Sequence, residues 1–259
     1  MNALERGNGT YAMVAMDQRE SLRTMFRDHG HDDSDERVRM FKTAVARELA
    51  PHASGFLIDR ECVEDVAPLV PRGLILAVDL LEQERGGIVE DTRLDEVAEL
   101  PDGVVALKLL VIWRDDDRRA ERLDMCERFV ALAERHGIPS VLEAVVREQH
   151  QIVEAAAELG ATKPSLYKCQ SPREGDQVAV CYKVTEVLGG VPWVVLSQGV
   201  PPDEFPAAVE TACRGGARGF LAGRALWSNT LAADDPTELL RSQSVPRLQE
   251  LTEIVDRHA

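Results

Sequence analysis

Eight short apolar runs recur along this chain, with stretches of helical character between them. They lie near Tyr11–Met16, Ser54–Asp59, Gly73–Val78, Val104–Val111, Pro139–Ala144, Ser165–Cys169, Trp193–Ser197 and Gly219–Ala222. Runs that are apolar on both faces suit strands of a parallel sheet covered by helices. The intervals leave room for a crossover helix each, although the second is tight. Eight such units in 259 residues predict an α/β fold, a (β/α)8 TIM barrel spanning residues 1–259 as one domain. No linker, repeat or low-complexity segment divides the chain.

End signals mark several of the helices. Ser34 precedes Asp35 and Glu36, and Val38, Phe41, Val45 and Leu49 then recur on one face. A helix is expected over Asp117–His136, stopping at Gly137, with Leu123, Cys126, Val130 and Ala133 inward. Another stops at Gly160. Pro201-Pro202-Asp203 reads as the opening of the helix after strand seven, and Pro236–Arg257 as one last amphipathic helix.

Charge and composition narrow the function. The formal net charge of −15 argues against a nucleic-acid partner, which needs a basic face. No apolar run is long enough to span a bilayer, and the opening MNALERGNGTY has no signal-peptide character, so a cytoplasmic protein without a membrane partner is expected. The five scattered cysteines form no C-x-x-C pair, which favours reduced thiols.

Polar groups at strand ends are the candidates for chemistry, because barrel sites are built at the C-terminal ends of the strands. Lys108 lies in VVALKLLV and Lys168 in SLYKCQ. A buried amine is costly without a partner or a task. Lys168 reads as a Schiff-base nucleophile; burial and a nearby cation, such as Lys108 in the same pocket, would ease loss of its proton. Glu143, one strand earlier, reads as a proton shuttle or as a structural ion-pair partner of either lysine. Asp17 reads as an acceptor for substrate hydroxyls or as the N-cap of a helix beginning near Ser21. Ser197-Gln198-Gly199 and Gly223-Arg224 end strands seven and eight. They suit a phosphate or, alternatively, ordinary tight turns. Strand alternation turns Cys169 outward if Lys168 points in. His29-Gly30-His31-Asp32-Asp33 reads as a solvated loop, and Arg114–Arg119 as an exposed loop and helix start. No histidine falls at a strand end, which argues against a zinc-dependent aldolase.

Four blocks carry a resemblance: AMDQRESLRTMF, LYK, WVVLSQGV and GARGFLAGRALW. From Ala12 to Trp227 the chain resembles the class I aldolases that include tagatose-1,6-bisphosphate aldolase and sulfofructosephosphate aldolase, and looks nearer the latter. The resemblance implies retro-aldol cleavage through a lysine imine, with no metal or cofactor. It places the Schiff-base lysine at Lys168, the proton-shuttling glutamate at Glu143 and a second lysine at Lys108. Asp17 and Gln18 match its strand-one motif. Ser197, Gly199, Gly223 and Arg224 match the loops that hold an anionic end of the substrate, and Gln198, between the first two, is a substrate-binding candidate by its place in that loop. Two motifs depart from the common pattern: Cys169-Gln170 stands for Val-Glu, and Gln198 for a serine.

The expected substrate is a ketose 1-phosphate ending in sulfonate or phosphate, released as dihydroxyacetone phosphate and a three-carbon aldehyde. A homo-oligomer is expected. The rival readings are a barrel isomerase or decarboxylase using Glu143 or Asp17 as base, and a sugar-phosphate sensor without turnover.

Overall fold

A computed structural model describes residues 3–258. Eight parallel strands close into a barrel: β1 (Tyr11–Met16), β2 (Gly55–Ile58), β3 (Leu74–Ala77), then, past a ribbon of β4 (Asp79–Gln83) and β5 (Val89–Leu94), β6 (Val104–Trp113), β7 (Ser140–Val146), β8 (Leu166–Gln170), β9 (Trp193–Leu196) and β10 (Gly219–Ala222). β10 pairs back onto β1 from Tyr11↔Gly219 onward. The approach is so close there that a side chain on Gly219 would meet the Tyr11 carbonyl oxygen at 1.8 Å, and its φ of +139° suits glycine. All eight expected barrel strands form. β6 and β7 run further than expected because they stay paired as far as Trp113↔Val146.

Strand alternation splits the core in two. Tyr11, Met13, Leu57, Ile75, Val141 and Val194 fill the barrel interior. The outward set, including Tyr167 and Cys169, packs against the helices. Cys169 is therefore a packing residue, and burial holds its thiol well above the ordinary range.

The helical shell begins with α1 (Glu20–Asp28) and α2 (Asp35–Leu49). The Ser34 side chain accepts from the Arg37 N–H, and Val38, Phe41, Val45 and Leu49 are all buried. A single turn, α3 (Val63–Val66), serves the tight second interval. α4 (Arg119–Arg135) starts later than expected, and its buried stripe includes Met125 and Phe129, whereas Leu123 is only partly buried. α5 (Ile152–Gly160) and α6 (Gln177–Val187) follow β7 and β8. α7 (Phe205–Arg214) begins beyond the expected Pro201 start, with Pro206 in its first turn. α8 (Arg224–Trp227) follows β10 directly. The last expected helix is broken: a short α9 (Thr237–Leu239) leads through π-helical Leu240–Ser244 into α10 (Val245–Arg257). Among the described residues no helix is long and apolar enough to cross a membrane.

The third interval corrects the sequence reading. It holds no helix but the antiparallel ribbon β4–β5. Gly86-Gly87 turns the chain, with Gly86 at φ +72°, and a Gly-Gly pair between short extended runs is a hairpin signal. The tip is held where the Gly86 N–H donates to Glu20 Oε1 at 2.8 Å. The base is held by buried Asp91, which meets Arg122 at 2.8 Å, Arg118 at 3.0 Å and Arg114 at 3.2 Å. The segment Arg114–Arg119, expected as an exposed loop and helix start, does lead into α4, and its arginines also contribute to an ionic clamp.

Candidate active site

The C-terminal ends of β6, β7 and β8 bring the charged groups together. Glu143 and Lys168 are register partners on β7 and β8. Lys168 Nζ lies 2.9 Å from Glu143 Oε2, and Lys108 Nζ lies 3.0 Å from the same oxygen. The register sets Leu110, not Lys108, beside Glu143, and pairs Lys108 with Val141. Inward positions recur every second residue, so Lys108 sits one layer deeper in the barrel.

Three carboxylates surround that deeper amine. Besides Glu143, Asp17 Oδ2 is 2.7 Å and Asp79 Oδ1 3.1 Å from Lys108 Nζ. Burial alone would favour a neutral amine; Asp17, Asp79 and Glu143 outweigh it and hold Lys108 above the usual lysine range. Burial likewise pushes Asp17 and Glu143 up, but Lys108 and Lys168 pull both below their ordinary values. Asp17 does not cap α1, whose N-cap is Arg19 without a side-chain bond. Asp17 is committed to Lys108 instead.

Above Glu143 and Lys168 opens a cavity of about 290 Å³. Gln18, Ser197, Gln198, Gly223 and Arg224 line it, as does Leu110; Lys108, Asp17 and Gly199 do not. The expectation that both lysines enter one pocket is thus corrected: they share a carboxylate, but Lys108 lies beneath the floor. Gly199 instead follows Gln198 in the turn, with φ values of +80° and +38°. Arg173 bonds the Gln198 carbonyl and fixes that turn. Gly223 has no room for a side chain, because a Cβ would stand 2.8 Å from Gln18 Nε2 and 3.0 Å from the Ala15 carbonyl oxygen. Among the described residues, Oε1 of Gln18 and of Gln198 has no hydrogen-bond partner, and Arg224 forms no ion pair. Burial lowers the pKa of Arg224 from its ordinary value.

Sequence reasoning missed Asp79, Arg19 and Arg147. Asp79 is the first polar residue after β3, so the strand-end rule that picked out Asp17 also marks it. Arg19 Nη1 meets Asp79 Oδ2 at 3.2 Å. Arg147 follows β7, lines the cavity and donates to the Val89 carbonyl of the ribbon. The ribbon itself adds Gln83, Gly87, Ile88 and Val89 to the wall. Gln170, where the common pattern has a carboxylate, is buried and accepts from the Val146 N–H at 2.9 Å. It ties β8 to β7 rather than entering the cavity.

A closed barrel with a lysine–glutamate pair under a strand-end cavity has the layout of a barrel-enzyme active site. Residues 11–229 match the DeoC/LacD family aldolases, and the chain belongs to that family. Among curated relatives, the tagatose 1,6-diphosphate aldolase of Listeria monocytogenes EGD-e is 25% identical, covering 100% of this chain and 91% of the relative. That of Staphylococcus aureus RF122 is 23% identical, covering 97% and 93%. An archaeal fructose-1,6-bisphosphate aldolase, solved with its catalytic lysine bound to a carbinolamine intermediate, superposes with a TM-score of 0.67 at 19% identity, covering 97% of this chain and 96% of that one. The fructose-bisphosphate aldolase of Slackia heliotrinireducens gives 0.69 at 19% identity, covering 100% and 89%. These matches bear out the resemblance to tagatose-bisphosphate aldolases; the nearer likeness to the sulfofructose-phosphate group is not singled out by them.

Proposed function

We propose that this chain is a class I aldolase that cleaves a ketose 1-phosphate through an imine on Lys168, with Glu143 moving the protons. The observation that carries the reading is the Lys168–Glu143 contact of 2.9 Å at the floor of the strand-end cavity. A lysine must be neutral to attack a carbonyl, and Glu143 is in reach to take its proton. The amine adds to the ketone carbon to give a carbinolamine, which loses water to an iminium. The iminium accepts the electron pair of the C3–C4 bond as the C4 hydroxyl loses its proton. The aldehyde departs and leaves an enamine. Protonation of the enamine and hydrolysis of the imine free dihydroxyacetone phosphate and return the amine. Lys108, permanently paired below, holds Asp17 and Glu143 in place.

The wall formed by Ser197, Gln198, Gly223 and Arg224 suits one anionic end of the substrate, and Arg147, across the mouth, suits the other. The curated relatives favour a phosphate on the second end. The neutral amides of Gln18 and Gln198 beside a single buried-side arginine favour a sulfonate, which carries less charge. Comparing cleavage rates of 6-deoxy-6-sulfofructose 1-phosphate and tagatose 1,6-bisphosphate decides between them. The reading is tested by borohydride reduction in the presence of dihydroxyacetone phosphate. A reduced adduct on Lys168 is expected by mass spectrometry; an unmodified Lys168 overturns the imine mechanism.

A further inference from the structure

Asp79 is buried and charged, and no step above uses it. It opens β4 directly after β3, so the residue that starts the ribbon also faces the ion cluster. Its Oδ1 lies 3.1 Å from Lys108 Nζ and accepts the Leu110 N–H at 3.2 Å. Its Oδ2 lies 3.2 Å from Arg19 Nη1, and Arg19 also donates to the Asp79 carbonyl oxygen at 2.9 Å. Leu110 is the residue registered against Glu143. Asp79 therefore fixes both the backbone beside Glu143 and the amine beneath it.

We propose that Asp79 and Arg19 are paired positioning residues: Asp79 keeps Lys108 cationic under Glu143, and Arg19 cancels the charge that Asp79 adds. The inference rests on the aldolase reading. Its logic is charge balance. Asp17 and Asp79 offset Lys108 and Arg19, so the four charges beneath the Lys168–Glu143 pair cancel, and Arg224 on the cavity wall is left free to meet an anionic substrate. A proton then passes from Lys168 to Glu143 without leaving an uncompensated charge in a buried site. The other charged groups facing this cluster are Arg224 from α8, which lines the cavity and acts on both Glu143 and Asp17; Asp59, which Lys42 of α2 already neutralises; and Glu61 at the outer edge. Selection between the amines follows. Among the described residues, Lys108 forms ion pairs with three carboxylates, whereas Lys168 forms one only with the shared Glu143 oxygen, so Lys168 is the amine that can be released as a nucleophile.

Opposite charge changes must then have opposite effects. Asp79→Asn keeps the side-chain shape and an acceptor for the Leu110 N–H but leaves the surroundings one charge too positive. The acid limb of the kcat/KM profile is expected to move to lower pH by about one unit, and kcat to fall at least about ten-fold with KM nearly unchanged. Arg19→Met leaves the surroundings too negative, and the limb is expected to move to higher pH. The double variant is expected to return the limb close to its original position. A merely structural role would lower the melting temperature without these opposed shifts. Shifts in the same direction, or none, overturn the inference. Arg19 is partly exposed, so an unmoved limb in Arg19→Met overturns it even where Asp79→Asn fails to fold. Wild-type trapping at Lys168 separates the two failures: no adduct sinks the aldolase reading, whereas an adduct with unmoved profiles sinks only this pairing.

Discussion

Two buried ionic regions of this barrel differ in a way that separates structure from chemistry. In the helical shell, Lys42 of α2 pairs with Asp59 at the end of β2, and both side chains are almost fully buried. One cation meets one carboxylate, and the spare Asp59 oxygen accepts the Glu61 N–H at 3.1 Å. At the barrel mouth, one Glu143 oxygen serves two amines, and only one of those amines reaches a cavity. The shell pair is closed, with nothing to give or receive. The mouth cluster shares an acceptor and opens to solvent on one side, which is what proton transfer to a bound molecule requires. Burial of a charge is therefore a poor guide to function by itself; the sharing of a partner and the access to it are better ones.

The largest expected contrast comes from removing the exposed-side amine. Lys168→Ala should abolish cleavage, by about 10⁴-fold or more, since the covalent step has no substitute. Steady-state assays and the loss of borohydride trapping check it together; substantial residual turnover would make Lys168 a bystander like Lys42. Glu143→Gln comes next. It keeps the shape but removes the proton acceptor, and kcat should fall about 10²–10⁴-fold with KM little altered. A change confined to KM would reassign Glu143 to binding.

The shell pair should respond in the opposite sense. Lys42→Met strands the Asp59 carboxylate in the core and is expected to cost about 3–5 kcal/mol of stability, read by urea denaturation. Turnover per folded molecule should fall far less than in Glu143→Gln, with at most a small shift of the acid limb to higher pH, because the bared Asp59 also faces Arg19. Replacing both partners, as Lys42→Met with Asp59→Leu, should recover most of the lost stability because no unpaired charge remains. Equal losses of activity and stability in Lys42→Met would erase the distinction between the two regions.

How much of this is legible in the chain itself varies by feature. The barrel strands are readable because both their faces are buried, so β8 and β10 stand out as short apolar runs. Lys168 and Glu143 are readable because a charge inside such a run is conspicuous. The depth of Lys108 is not, since it depends on the stagger between β6 and β7, and register is decided by packing among distant segments. The ribbon is missed because the interval was long enough for a helix, although Gly86-Gly87 signals a hairpin locally. Asp79 is missed with it: once the third interval is taken as a helix, its first residue reads as a cap rather than as a partner of Lys108 beneath the site. Arg114 and Asp116 look like loop residues until Asp91, on the ribbon, arrives from far along the chain.

That last cluster supplies a third ionic region, intermediate between the other two, and the smallest expected effect. Asp91 is buried and Asp116 is part-exposed, and Arg122 bridges them at 2.8 Å and 2.6 Å. Hydrogen bonding from Arg122 pulls the Asp116 carboxyl down to about 2. Burial pushes Asp91 up, but bonds from Arg122 and the Thr92 N–H bring it below its ordinary value. A carboxyl with a folded-state pKa below the unfolded one stabilises the fold above about pH 4, and that contribution fades as pH falls toward the folded value. Wild-type stability should therefore decline between about pH 4 and pH 2 in part through this clamp. Asp116→Asn should be slightly less stable at neutral pH, with the gap to wild type closing as the medium is acidified. Because Asp116 is part-exposed, the gap should also shrink with added salt. Urea denaturation of both proteins across that range measures the gap directly. A gap independent of pH and salt would mean the clamp holds the ribbon by shape and not by charge.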